Sequence, residues 1–151
     1  MVLLVGAMPL RASTVPVIQG RVVGLELCEQ AVCGAAIFTA VFGGQVGSNP
    51  RALGTIFVTV NHEVPLPPPN LSVNITGGLW QLQLLSGKKF AGILTGGSLT
   101  NHEGDGTFIV IADMLRLTNG IPDGTLTFEG TLSHNTFPPT ISGQILQEPS
   151  E

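Results

Sequence analysis

The sequence predicts an all-β protein, a single antiparallel meander of about eight strands closed or nearly closed into a barrel, with a β-sandwich as the competing architecture. Three observations carry this expectation. From residue 15 onward, apolar runs of strand length alternate with clusters of Gly, Pro, Asn and Asp. No long segment places apolar residues at the i, i+3, i+4, i+7 spacing of a helix. A pattern of apolar residue, any residue, Gly, any residue, aliphatic recurs along the chain, and glycine kinks on a concave face let a small sheet coil and close.

Strands are expected over 16–28, 32–46, 53–63, 71–84, 88–100, 107–118, 124–134 and 140–147. The first carries the pattern as Ile18-Gln19-Gly20-Arg21-Val22 and ends on Cys28; a short turn of Glu29-Gln30-Ala31-Val32 precedes Cys33 in the second. Gly47-Ser48-Asn49-Pro50 turns the chain into the third. The stretch Pro65-Leu66-Pro67-Pro68-Pro69 is the one stiff connection and is expected to cross an end of the fold. The fourth and fifth strands carry Ile75-Thr76-Gly77-Gly78-Leu79 and Phe90-Ala91-Gly92-Ile93-Leu94, joined through Ser86-Gly87. Gly104-Asp105-Gly106 leads into the sixth, and the segment Asn119 to Gly124 leads out of it. The last two carry Phe128-Glu129-Gly130-Thr131-Leu132 and Ile141-Ser142-Gly143-Gln144-Ile145, with Asn135 to Pro139 between them. Because alternate residues of a strand share a face, each pattern sets Gly between two inward apolar side chains. The pattern in both first and last strands suggests that these pair and close the meander.

A chain of 151 residues is of single-domain size, expected as a barrel over 15–148 with an arm at 1–14 and a tail at 149–151. Hydrophobic residues make up 43% and charged residues only 11%, against a usual share of about 25%. With a mean hydropathy of +0.40, disorder is disfavoured. Solubility falls to Thr, Ser, Asn and Gln, which suit strands better than surface helices. The six basic residues are scattered and the net charge is −4, so nucleic acid is not an expected partner. One Trp and no Tyr leave few faces for stacking sugars or bases.

Residues 2–10, Val-Leu-Leu-Val-Gly-Ala-Met-Pro-Leu, have the length of a signal-peptide core and are followed by small residues, but lack a basic start. They read as a signal-peptide remnant or as an arm packed on the body. No run reaches the ~18 apolar residues of a membrane helix. Cys28 and Cys33 flank a turn short enough to bring their Cβ atoms within bridging distance, and a disulfide is expected. Together these favour a secreted, periplasmic or extracellular location.

Few ionisable residues fall inside the expected strands. Asp113 stands out because its neighbours in Ile109-Val110-Ile111-Ala112-Asp113-Met114-Leu115 are apolar on both faces, and a lumenal carboxylate there would hold a polar ligand end or move a proton. His62, His102 and His134 sit at or beyond the ends of the third, fifth and seventh strands, which run the same way, so they gather at one rim. Asp113, His62 and His134 are the candidate ligand-binding residues. No HxH or HExxH spacing is present, two cysteines cannot complete a structural zinc site, and no metal or cofactor is expected. No Gly-x-Ser-x-Gly elbow or phosphate-binding Gly-rich loop is found, and no catalytic residue is assigned.

In outline such a barrel is similar to lipocalin-like, allene oxide cyclase and dirigent-type barrels, although no motif places the chain in any of them. The leading expectation is a non-catalytic exported barrel that binds a small apolar molecule or serves as a structural module. One alternative is a subunit of an extracellular assembly or fibre, a homo-oligomer built by strand addition. The other is a cyclase- or isomerase-type barrel enzyme using Asp113 with a rim histidine on an apolar substrate.

Overall fold

The computed structural model describes residues 16–147, so the expected N-terminal arm, the tail and any cleavage site lie outside the described residues. These residues form a closed barrel in the order β1-β2-β3-β4-β5-β6-β7-β8, all neighbours antiparallel. The strands are β1 (Ile18–Cys28), β2 (Ala36–Val46), β3 (Asn49–His62), β4 (Ser72–Leu84), β5 (Lys89–Asn101), β6 (Thr107–Thr118), β7 (Ile121–Ser133) and β8 (Thr140–Gln147). The meander closes where β1 pairs with β8, from Gly20 opposite Ile145 to Leu25 opposite Thr140. The sandwich alternative is thereby excluded. The one helical element among the described residues is α1 (Gln30–Cys33), a single turn between β1 and β2. It replaces the hairpin turn expected between the cysteines and keeps Cα28 and Cα33 6.1 Å apart, with the sulfurs at disulfide-bonding distance. No helix of the described residues is long and apolar enough to cross a membrane.

Two hairpins are tighter than the sequence suggests, so β3 and β7 begin earlier than expected. Gly47-Ser48 is a two-residue link between Val46 and Asn49. Asn119 and Gly120 both take positive φ, 54° and 79°, as a type I′ turn requires, and this starts β7 at Ile121.

Four of the five Gly patterns face inward as expected. On β7 and β8 the paired glycines Gly130 and Gly143 lie beneath the Phe128 ring, whose Cζ would be 2.6–2.7 Å from a Cβ built on either. The missing side chains let the strands approach while an aromatic ring covers the gap. The exception is Ile75-Thr76-Gly77-Gly78-Leu79. A register shift opposite Asn61 and His62 inserts one residue, so Ile75 is buried but Leu79 faces solvent, and Trp80, Leu82 and Leu84 fill the interior instead.

The interior is unevenly filled. At the end formed by the starts of β1 and β3 and the ends of β2 and β4, here the base, Ile18, Phe42, Trp80 and Leu82 are packed solid. Toward the other end, the mouth, several inward positions are Ala36, Ala40 and Ala112, which leave room.

Candidate functional site: a lumenal cavity with a polar mouth

The upper half of the barrel holds a cavity of about 450 Å³, within the ~300–1,000 Å³ range of ligand pockets. Its wall is chiefly apolar, including Val22, Phe38, Ile56, Met114, Phe128 and Ile141. Over the mouth lie α1 and the segment Val64-Pro65-Leu66. The expected crossing of one end by the proline stretch is therefore present. Asn101 holds it by donating from Nδ2 to the Pro67 carbonyl at 2.9 Å.

Polar groups at the cavity gather at this mouth. Glu26, inward on β1, is 6% exposed, and its carboxylate Oε1 lies 3.2 Å from Nε2 of His134, just beyond β7. The His134 ring rests against Phe108, centroids 5.3 Å apart, and its backbone N–H donates to Gly106 O at 2.8 Å. The Glu26 carboxylate at its side raises the His134 pKa above the ordinary 6.5; burial opposes this, and the charges of Glu26 and Glu29 add to it. Glu29 is exposed at the start of α1, and ligand atoms of Glu26, Glu29 and His134 all lie within 4.8 Å of one another, close enough to share one cation.

Three buried atoms at the mouth make no hydrogen bond with the described residues: Glu26 Oε1, His134 Nε2 and Gln30 Oε1. The first two are neighbours but poorly aligned. Gln30 spends its amide N–H on the His62 carbonyl at 3.3 Å, leaving its oxygen unmet. His62 is buried and lines the cavity; its Nδ1 donates to the Glu63 carbonyl at 2.6 Å.

The sequence candidates thus divide. His62 and His134 line the cavity, but Asp113 does not: it is exposed on the outer wall, its carboxylate lying over Gly96. Phe108, Val110, Ala112 and Met114 point inward, so Asp113, one residue out of step, must point outward. Its neighbours misled because the outer positions of β6, Ile109 and Ile111, are apolar as well and stand exposed. His102 reaches the same rim but is exposed and turned to its own loop, 2.9 Å from Asp105. Asp105 is held down to about 2, chiefly by the Thr107 hydroxyl and then by His102.

Glu26 and Arg116 were not singled out from the sequence. Arg116 is 2% exposed at the base, where Nε donates to Asp123 Oδ1 at 3.0 Å and Nη1 to the Pro16 carbonyl at 2.9 Å. Its guanidinium also lies 6.0 Å from the centre of the Phe90 ring.

Comparison with known protein families, characterised proteins and solved structures finds no match to this chain.

Proposed function

We propose that this chain is a non-catalytic binding protein that takes a small, largely apolar molecule into the upper half of its barrel. The observation that carries the reading is the cavity of about 450 Å³ left open above a solid base. A hollow of that size leaves the inward apolar side chains around it without the packing partners that a close-packed interior supplies. A structural barrel of eight strands would gain by closing its lumen with larger side chains, as this one does at its base. An occupant restores the missing contacts.

The disulfide-distance cysteine pair supports an exported location, since such bonds persist in oxidising compartments. The enzymatic alternative rested on a lumenal Asp113, and that residue faces solvent. Assembly by strand addition needs an unpaired edge, and closure of β1 on β8 leaves none within the described residues.

The test is titration with an apolar fluorescent probe, in the parent chain and in Ala40→Leu and Ala112→Leu, two cavity-lining positions enlarged toward the hollow. Saturable binding at one site, weakened in both variants while far-UV circular dichroism is unchanged, is expected. Absence of saturable binding sinks the reading.

A further inference from the structure

Resting on that reading, we infer that the occupant is an amphiphilic amine, whose ammonium head sits among Glu26, Gln30 and His134 while its apolar body fills the lumen.

A buried polar group without a partner costs roughly 1–3 kcal/mol, and more when charged, so native interiors hold few of them. Here three belong to residues that line one apolar cavity, and two of the three, Glu26 Oε1 and Gln30 Oε1, accept hydrogen bonds only. The third, His134 Nε2, stands 3.2 Å from Glu26 Oε1 and faces it as an ion pair when the imidazole is charged; when the ring is neutral with its proton on Nδ1, Nε2 is an acceptor as well. An ammonium offers three N–H donors and no acceptor, which complements this set. A carboxylate head offers only acceptors at neutral pH and would leave Glu26 and Gln30 unsatisfied.

Charge points the same way. Glu26, Glu29 and His134 converge within 4.8 Å, and among the described residues no Lys or Arg lines the cavity or its mouth. A cation placed there meets two carboxylates, one of them in a buried site of reduced dielectric; an anion meets like charge. The tail requirement comes from the lumen, whose wall below the mouth offers apolar side chains such as Val22, Met114 and Phe128.

The experiment compares decylamine, decanol and decanoate at neutral pH by displacement of the fluorescent apolar probe. A chelator is present throughout, so that a metal ion does not take the same three groups. Three proteins are compared: the parent chain, Glu26→Gln, and Glu129→Gln, which removes an equal charge from the outer wall. The amine is expected to bind at least about tenfold more tightly than decanoate, with decanol between them. Glu26→Gln is expected to abolish that ranking and Glu129→Gln to preserve it. Equal binding of the three heads, or a preference that survives Glu26→Gln, overturns the amine assignment while leaving an apolar-ligand site in place. Failure of all three heads and of the probe itself to bind removes the cavity reading and this inference together.

Discussion

Replacing Gly130 with Ala puts the barrel's closure under direct test. A Cβ at this position would stand 2.2 Å from the Ser142 carbonyl oxygen and 2.9 Å from Gly143 Cα, both backbone atoms of β8, as well as 2.6 Å from Phe128 Cζ. The ring can swing aside; the β8 backbone cannot, because it is tied to β1 on its other side. The carbonyl contact is roughly 1 Å short of ordinary van der Waals distance, so the β7–β8 seam must open locally. Overpacking of this kind costs about 1–3 kcal/mol, and an unyielding backbone obstacle puts Gly130→Ala near the top, about 3 kcal/mol. Unfolding entropy of ~2.1 cal/mol/K per residue makes that a fall in Tm on the order of 10 °C. Gly77→Ala is the control: nothing lies within 4 Å of a Cβ there and the backbone is not left-handed. It is expected to be neutral or to stabilise by ~0.4–1 kcal/mol through the unfolded chain. Urea unfolding of the two variants at matched m-values decides the matter. Equal stabilities would refute the claim that inward glycines permit close approach of the strands.

Three further outcomes follow from the ends of the barrel. Asp123→Ala strands the buried Arg116 guanidinium and is expected to cost about 2–4 kcal/mol in urea unfolding; adding Arg116→Met should recover part of that loss, and no recovery would contradict an unpaired charge as its origin. Replacing Cys28 and Cys33 together with Ser opens a loop of sequence separation 5, and chain entropy sets the expected loss near ~2 kcal/mol by thermal unfolding, with no loss if the thiols are unbonded in the native protein. By NMR titration, His134 is expected above 6.5 in the parent and lower in Glu26→Gln. Because its folded value is raised, its contribution to stability is full below the unfolded value of ~6.5 and is lost as pH rises through the folded value; a parent whose stability is flat across that interval would contradict the Glu26 contact.

Strand positions were legible because apolar runs and turn residues are local signals, and strand ends shifted by more than two residues where a two-residue turn tightened, as at Asn119-Gly120, and where α1 moved the start of β2 to Ala36. The polar site was legible in part, and the missing step was parity. The inward series Ile18, Gly20, Val22 extends through Gly24 to Glu26, and Phe128, Gly130, Leu132 extends to His134. On β6, Phe108, Val110, Ala112 and Met114 extend to Arg116, which makes Arg116 the inward charge and Asp113 the outward one. Composition around Asp113 suggests burial because this barrel has an apolar outer face on β6, whereas alternation, the stronger constraint, places it outside. Parity alone fails at Leu79, where the register shift opposite Asn61 and His62 reverses it; the adjacent Gly77-Gly78 pair is the local sign of that bulge, but glycine recurs in so many of these strands that it does not single out the place.

The two ends of the barrel treat buried polar groups in opposite ways. At the base, Arg116 enters a packed interior and finds a carboxylate, a carbonyl and a ring. At the mouth, the same alternation delivers Glu26 and His134 to an open space in which neither is aligned with a partner and Gln30 adds a third unmet atom. Defective packing would not confine itself to one end, nor would it coincide with the small inward residues Ala36, Ala40 and Ala112 that make the hollow. On the proposed reading, volume and unmet polarity have a common cause, an occupant with an apolar body and a polar head. Such an occupant must also stabilise the fold, by RT ln(1 + [L]/Kd), or about 2.7 kcal/mol at a hundredfold excess over Kd. Decylamine, present at that excess, is accordingly expected to raise the Tm of the parent chain, and to raise that of Glu26→Gln less.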